Sequence, residues 1–233
     1  MAMTTEIKII SSMATRQLLA DLVETFHRQS PLRVRVESVG GVDAAKRVQA
    51  GEAFDLVMLA SNAIEQLIAA GRIVAGSRVD LVNSGVAVAV RAGAPQPDIT
   101  SEQAVKQAVL SAQHLSYSTG PSGVQLAKLF ERWGIAEQLA PRIVQAPPGV
   151  PVGSLVARGE VELGFQQLSE LMHLPGIAVL GPLPPAIQIT TTFSAGISTT
   201  CTQPEAAREV LAFMASPAAS AAKRSNGMDP ASA

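Results

Sequence analysis

The sequence predicts an α/β protein of two lobes, each a mostly parallel sheet flanked by helices, with two strands joining the lobes. The order strand, loop, helix recurs between residues 7 and 71, and it starts afresh after residue 100. Successive units of this kind form parallel sheets with right-handed crossovers. Two longer apolar segments, 81–90 and 188–197, stand where the chain is expected to leave the first lobe and return to it.

The first lobe is predicted from the units near the start of the chain. Short apolar runs predict its strands, and apolar residues at helical spacing predict its helices. Gly51 and Gly71 are expected to end the second and third helices, as glycine commonly does. The strands are expected at residues 7–10, 34–36 and 54–59, and the helices at 18–26, 42–50 and 64–68.

The second lobe is predicted to follow the turn-rich residues 91–100. Its expected helices are 102–110, 124–133 and 154–158, and its expected strands are 115–117, 161–165 and 177–180. Helices at 205–214 and 218–224 close the chain on the first lobe. We assign residues 1–83 and 193–233 to the first lobe and 84–192 to the second. A ligand cleft is expected between them, because ligands of such sheets sit outside the carboxyl ends of the strands.

Composition excludes several classes of protein. With 233 residues, 47% of them hydrophobic, the chain is long enough to form real hydrophobic cores. A formal net charge of -1 and an aromatic content of 3% argue against a nucleic-acid partner, which needs a basic face or stacking platforms. No apolar run approaches the roughly 18 residues of a transmembrane segment, so none is expected. The lone Cys201 excludes an internal disulfide and is interpreted as a small buried hydrophobe.

The start of the chain, MAMTTEIKII, enters a strand almost at once and shows no signal peptide. Two locations therefore stay open. The protein is periplasmic if a signal peptide was removed and a new start added, and otherwise it is cytoplasmic.

The loop at residues 118–123, between a short strand and a helix, is a candidate anion site. A helix start leaves backbone N–H groups unpaired at the positive end of the helix dipole. Two glycines let a ligand approach the backbone, and three hydroxyl groups add donors. The alternative is that serine and glycine only cap the helix, but similar loops follow other strands, which favours an anion site. The residues concerned are Ser118, Thr119, Gly120, Ser122 and Gly123.

Four other side chains are candidates for ligand contact or chemistry. Arg16 lies in the first turn of the first helix, where its planar guanidinium suits a carboxylate; the alternative is an exposed arginine turned to solvent. Gln166 and Gln167 end a buried strand with side chains on opposite faces, so one of them is expected to face the cleft. Glu170, as a carboxylate, would repel an anion unless it is protonated or acts as a base.

The sequence contains no recognised catalytic or metal motif. His27, His114 and His173 lie off the expected cleft loops and have no paired spacing for a metal, so no metal site is expected. No nucleophile elbow, dinucleotide fingerprint or phosphate loop occurs, and no cofactor is expected.

Several stretches together carry a family pattern: SSMATRQLLADLVETF, GGVDAAKRVQAGEAFDLVMLAS, SGVAVAVRAGAP, SGVQLAKLFERWGI, LVARGEVELGFQQLSEL, PGIAVLGPLP and FMASPAASAAKRSNGMDP. They resemble the molybdate-binding-protein-like family of extracellular solute-binding proteins, which has the type 2 periplasmic binding fold. The resemblance covers nearly the whole chain and is much less specific for the ligand than for the family. It implies a small anion bound between the lobes by hydroxyls and backbone amides, and an ABC permease as partner.

The resemblance also implies ligand-binding residues. One of the family's ligand serines falls on Ser12. Another falls on Gly40 or Gly41, and a glycine has no hydroxyl to offer. The tyrosine that molybdate binders use aligns with Gln167, with Gln166 as the alternative. Two contacts are therefore missing from the dense shell that a compact tetrahedral oxyanion needs. The expected ligand-binding residues are Ser11, Ser12, Arg16, Gly40, Gly41, Ser61, Ser118, Thr119, Ser122, Gly123, Val152 and Gln167, with no catalytic residue assigned.

We therefore expect a solute-binding protein that closes on a small anion, an organic carboxylate rather than molybdate, for an ABC-type importer. The competing hypothesis is an isomerase of a tricarboxylic acid, because some relatives of this family are isomerases of aconitate. Such an enzyme needs a base and donors for an enolate, for which Glu170 or a serine and the loop at 118–123 are the candidates. A third, weaker hypothesis is a ligand-sensing module acting on another protein.

Overall fold

The computed structural model describes residues 6–147 and 149–231. The start of the chain at residues 1–5 and one residue of the expected loop at 147–153 lie outside this description. Contacts divide the chain into two compact units: unit 1 runs to Asn83 and resumes at Thr192, and unit 2 is Ser84–Thr191.

Strands and helices alternate along most of the chain, which confirms the predicted α/β class. Short 3-10 helices at Met13–Thr15, Ala140–Arg142, Pro185–Ile187 and Pro217–Ala219 link some of the elements. The elements are β1 (Glu6–Ser12), α1 (Arg16–His27), β2 (Arg33–Val39), α2 (Gly41–Gln49), β3 (Leu56–Ala60), α3 (Ser61–Ala69), β4 (Val79–Arg91), α4 (Glu102–Ser111), β5 (Leu115–Tyr117), α5 (Pro121–Arg132), α6 (Ala136–Leu139), α7 (Val152–Ala157), β6 (Leu163–Gln167), α8 (Leu168–Leu171), β7 (Ile177–Pro182), β8 (Thr190–Ile197), α9 (Pro204–Ala215), α10 (Ser220–Ser225) and β9 (Met228–Pro230).

The sheet of unit 1 is parallel at its centre. β1 pairs in parallel with β2 on one side and with β3 on the other, and β3 pairs antiparallel with β8. β2 forms the edge, where Arg33 and Arg35 are exposed and alternate with Val34 and Val36. This agrees with the alternating pattern of the sequence, which predicts the polar side of an edge strand.

The core of unit 1 lies on both faces of this sheet. Ile9 and Ile10 are adjacent in β1 and therefore point to opposite faces, and both are buried. The face with Ile9 is covered by α1 and α9, and the face with Ile10 is covered by α2 and α3. A strand buried on both faces reads as a continuous apolar run, which explains the sequence pattern of β1 and β3.

The sheet of unit 2 is mixed. β5 and β6 are parallel, whereas β4 pairs antiparallel with both β6 and β7. Its main core packs Phe130 of α5 against Phe165 of β6, with ring centroids 6.4 Å apart in an edge-to-face arrangement. This core fixes α5 on β6, and the loop before α5 is placed by that packing.

Several element boundaries differ from those expected, and three of them are described here. β8 begins at Thr190, because the prolines before it form a 3-10 helix and the side chain of Gln188 accepts hydrogen bonds from the amides of Val86 (3.1 Å) and Ile189 (2.8 Å). α7 begins at Val152, two residues earlier than expected, and β6 extends to Gln167. The last two shifts bring both glutamines into the strand and Val152 to a helix start.

Within the part of the chain that the structure describes, no helix combines the length and the apolar character needed to cross a bilayer.

Candidate functional site

One group of expected site residues lies at a single edge of the unit 1 sheet. Ser12, Gly40 and Ser61 directly follow or end β1, β2 and β3, and these strands are parallel neighbours. The carboxyl ends of parallel strands meet at one edge of a sheet, so the three loops are adjacent. A Cβ atom added at Gly41 would lie 3.6 Å from Cβ of Ser12, which shows how closely the first two loops approach.

The two serines at the end of β1 have different surroundings. The Ser11 hydroxyl lies 2.7 Å from the Ser38 hydroxyl and 3.3 Å from the Ser12 carbonyl oxygen, so its hydrogen bonds are used within the protein. The Ser12 hydroxyl is buried and has no hydrogen-bond partner among residues 6–147 and 149–231. Of the two, Ser12 is therefore the residue with a free donor.

The loop before α2 combines backbone groups with one negative charge. The Gly40 carbonyl accepts a hydrogen bond from the Ala44 amide and begins the helix. Asp43 lies in the first turn, and a Cβ atom added at Gly40 would lie 3.4 Å from its carboxylate. A carboxylate at a helix start is favourable for the helix, but it opposes a bound anion.

Arg16 is the first residue of α1 and is exposed. None of the ion pairs formed within the described residues includes it. The structure thus places Arg16 one short 3-10 helix after Ser12, and its contact with a ligand stays a prediction.

In unit 2, the expected loop at residues 118–123 is shorter than predicted: residues 118–120 form a tight turn after β5, and α5 begins at Pro121, three residues earlier than expected, so Ser122 and Gly123 lie in its first turn. The amides of Gly123 and Val124 donate to the Gly120 carbonyl, at 3.0 and 3.2 Å. Pro121 opens the helix and has no N–H. The hydroxyls of Ser118 and Ser122 lie 3.1 Å apart. The donors that this loop offers are accordingly hydroxyl groups more than backbone amides.

Only glycine fits at position 123 in this turn, because a Cβ atom there would lie 1.6 Å from the Ser118 carbonyl oxygen. Its conformation, not its amide, is its contribution to the site. Thr119 is exposed, and the neighbouring Tyr117 is partly buried, which raises the pKa of its phenol.

The carboxyl end of β6 carries both glutamines, and both are buried. Gln167 donates from Nε2 to the Thr191 hydroxyl at 2.9 Å, and its Oε1 is buried with no partner among the described residues. If the side-chain amide of Gln167 were rotated by 180°, Oε1 would accept from the Thr191 hydroxyl, because a hydroxyl both donates and accepts. Nε2 would then be the atom without a partner. Gln167 therefore has one polar group left for a ligand in either orientation.

Gln166 points to the other face of β6 and links two elements. Its Oε1 accepts from the Gly153 amide at 3.3 Å, and its Nε2 donates to Glu170 at 2.9 Å. α7 approaches β6 closely there, since a Cβ atom added at Gly164 would lie 2.5 Å from Val156. The start of α7, the buried Val152 included, is thus held at the end of β6.

Glu170 is the ionisable group with the most perturbed environment in this region. Its carboxyl is partly buried, and burial raises its pKa to about 7, while the hydrogen bond from Gln166 acts in the opposite direction. A carboxyl of this kind exchanges its proton near neutral pH, which is the property required of a general acid or base.

His27 has a structural role, since it accepts a hydrogen bond from the Val34 amide at 3.0 Å. Trp133, which follows α5, donates to Glu102 at 2.7 Å. The described ranges contain no group of three or more His, Cys, Asp or Glu residues arranged to hold a metal ion.

Two residues of interest were missed by sequence reasoning. Thr191 holds the amide of Gln167, and Ser84 has a fully buried hydroxyl without a partner in the described parts of the chain. No pattern in the sequence distinguishes Thr191 from Thr190 and Thr192, because its role depends on packing against a strand 24 residues away along the chain.

A family model described as a bacterial extracellular solute-binding protein matches residues 7–229. A curated relative from Pseudomonas sp, named aconitate isomerase, is 35% identical over 232 residues, which cover 97% of this chain and 88% of the relative.

Solved structures of low sequence identity have the same fold. The periplasmic molybdate-binding protein of Azotobacter vinelandii aligns with a TM-score of 0.80 and 21% identity, over 95% of this chain and 98% of that chain. The sulfate-binding protein of Mycobacterium tuberculosis aligns with a TM-score of 0.79 and 15% identity, over 97% and 87%. At these identities the likeness concerns the fold alone.

Proposed function

Because this chain belongs to the bacterial extracellular solute-binding proteins, we propose that it binds a small organic carboxylate, rather than molybdate, for delivery to an ABC-type importer. The family and the type 2 periplasmic binding fold expected from the sequence are confirmed by the family match and the molybdate-binding structure. The family is extracellular, which is consistent with the periplasmic location that the sequence left open.

The observation that carries the proposal is the hydroxyl of Ser12. It is buried at the carboxyl end of β1 without a partner in the described residues. A buried polar group left unpaired costs about 1–3 kcal/mol. An anion accepting from this hydroxyl would recover that free energy, which no group within residues 6–147 and 149–231 does.

Two features support a carboxylate over a tetrahedral oxyanion. Gly40 and Gly41 offer no hydroxyl beside Ser12, and Gln167 leaves only one polar atom for a ligand. A tetrahedral oxyanion needs donors around a small sphere, whereas a planar carboxylate is satisfied by fewer and accommodates a larger body.

Thermal-shift measurements with a panel of anions test the ligand class. Tricarballylate, trans-aconitate, citrate and malonate should raise the melting temperature, and at equal concentration the tighter ligand should raise it more, because a ligand that binds only the folded state stabilises it. Molybdate, tungstate and sulfate should give smaller shifts. If molybdate or tungstate gives the largest shift, the assignment to carboxylates is wrong.

Replacing Ser12 with alanine should weaken carboxylate binding about 10-fold or more, since a hydrogen bond to a charged group contributes about 1.5–3 kcal/mol. The stability of the free protein should be unchanged or slightly higher, because an unsatisfied hydroxyl is removed. Ser11→Ala is the matched control: it should leave the affinity unchanged and destabilise the fold by about 1 kcal/mol, because Ser38 loses its partner. Isothermal titration and urea unfolding measure both quantities, and equal affinity losses in the two variants would contradict the assignment of Ser12.

Replacing Asp43 with asparagine should strengthen anion binding a few-fold at low salt, because it removes a negative charge beside Gly40. The gain should shrink at high ionic strength, where exposed charges are screened. Glu6→Gln, at the amino end of β1, removes the same charge at the opposite edge of the sheet and should have little effect. A gain that is equal in both variants would point to net charge and not to the site.

An isomerase of a tricarboxylic acid is the second candidate function. Two observations favour it: the relative named aconitate isomerase, and the Glu170 carboxyl, whose pKa of about 7 suits proton transfer. Incubation with trans-aconitate, followed by proton NMR, distinguishes the candidates. Appearance of a second isomer, at a rate proportional to protein concentration, establishes turnover; a stoichiometric complex with unchanged ligand establishes binding alone.

A further inference from the structure

Lys223 of α10 is a buried lysine without a counter-ion in the described part of the chain. The residue is 3% exposed, and none of the ion pairs within residues 6–147 and 149–231 includes it. Lysine is almost never buried to this extent unless it is paired, because an ammonium taken out of water loses its hydration. Burial accordingly lowers the pKa of Lys223. A bound anion would compensate this charge.

Lys223 lines a cavity of about 550 Å³ in unit 1, formed by α10, the end of α9, the start of β4 and β9. This volume is in the range of sites for small organic molecules. The Lys223 ammonium has no hydrogen-bond partner in the described residues, yet it is not among the fully enclosed polar atoms that lack one, so it reaches the open space of the cavity. The cavity shares no residue with the loops that follow β1, β2 and β3, and it is therefore separate from the proposed anion site.

Ser220 adds a second polar group beside the lysine. Ser220 and Lys223 are three positions apart in α10, so they lie on one face of the helix, and both line the cavity. A hydroxyl and an ammonium on one face can both donate to the same carboxylate.

The other charged side chains of the cavity already have partners. Asp80 accepts from Arg78 at 2.9 Å and from the Ser194 hydroxyl at 2.6 Å, and the Arg78 guanidinium lowers the pKa of Asp80. Arg78 also pairs with Glu65. Asp80 is thus ionised at neutral pH, and a second negative charge on a ligand would be repelled by it.

We propose that this cavity is a second ligand site, which binds a small monocarboxylate with an apolar body. The carboxylate pairs with the Lys223 ammonium and accepts from the Ser220 hydroxyl. The body of the ligand lies against the apolar part of the lining, which includes Val79, Pro217 and Pro230. Removal of this apolar surface from water adds to the affinity.

Isothermal titration with hexanoate, in a buffer free of carboxylates, measures this binding. Hexanoate combines one carboxylate with a short apolar chain, and one molecule should bind per protein chain. Hexanol lacks the charge that pairs with Lys223, and adipate adds a second charge that faces Asp80, so each should bind about 10-fold more weakly or worse. The absence of saturable hexanoate binding up to about 10 mM overturns the inference, and so does equal binding of hexanol or adipate.

Lys223→Met keeps the length of the side chain without its charge and should weaken hexanoate binding about 10-fold or more. The variant should fold, because an unpaired buried charge is replaced by an apolar group. Arg224→Met removes the same charge from the exposed neighbouring position on α10 and should change the affinity by less than about 2-fold. Equal losses in both variants, or no loss in Lys223→Met, contradict the assignment of Lys223. Tricarballylate is titrated into the same proteins, so that a failure of the proposed anion site is measured independently of this one.

Discussion

Replacing Gly123 with alanine is expected to destabilise the protein by about 3 kcal/mol and to abolish anion binding by the loop at 118–123. The added methyl group would lie 1.6 Å from the carbonyl oxygen of Ser118, a backbone atom that has no rotamer to change. The turn would have to open, which separates the Ser118 and Ser122 hydroxyls from their 3.1 Å contact. Urea unfolding measures the stability loss, and titration with tricarballylate measures binding.

Gly120→Ala is the control for Gly123→Ala. A Cβ atom at Gly120 meets only the Ser118 hydroxyl oxygen at 3.8 Å, an ordinary contact, and φ is -78° there. We expect this variant to lose less than about 1 kcal/mol, the range of a helix-cap substitution. If the two variants lose the same stability, the turn is not closed by contact with Ser118, and the description of the loop is wrong.

Replacing Glu170 with glutamine is expected to stabilise the protein by on the order of 2–3 kcal/mol above pH 8 and by little below pH 5. The pKa of Glu170 is raised from its ordinary value of 4.5 to about 7, so the folded protein holds this proton more tightly than the unfolded chain does. The associated stability is fully present below about pH 4.5 and is lost as pH rises to about 7. Glutamine does not titrate, and therefore does not share this loss.

Urea unfolding of the two proteins between pH 5 and pH 9 tests this prediction. The difference in unfolding free energy should rise between about pH 4.5 and pH 7 and then level off. Glu131→Gln, which removes an exposed carboxylate on α5, is measured in parallel as the control for the loss of one charge. A difference between Glu170→Gln and the unchanged protein that does not depend on pH would show that the carboxyl titrates as it does in water.

The elements of the fold were largely predictable because the apolar spacing in this chain is regular. Gly51 and Gly71 end α2 and α3 with φ of 86° and 69°, values that favour glycine, so the helix ends were readable from residue type alone. The pairing direction of β4 was not readable, because an apolar strand carries the same pattern in either direction. The start of β8 was displaced by the 3-10 helix at Pro185–Ile187, after which the Val86 amide is shared between the Gln188 side chain and the Ile189 carbonyl.

The site was predictable only as a set of loops. Parallel strands place their carboxyl ends together, so the expectation that the loop of Ser12 lies beside Gly41 follows from topology. The sequence does not predict which of the two serine hydroxyls is free. Ser11 has a partner because Ser38 lies opposite it on β2, and this pairing is known only from the structure. Long-range partners such as Thr191 for Gln167 are a product of tertiary packing, which a single sequence does not encode locally.

The edge strand β2 has a consequence for the protein at high concentration. Arg33 and Arg35 are exposed on it, Arg35 lies opposite Lys8 of β1, and the Val34 amide is already bonded to His27. A second copy adding its own β2 there would bring like charges together. Strand addition by a second copy is therefore disfavoured at this edge by charge, and by the His27 side chain that already takes one of its amides.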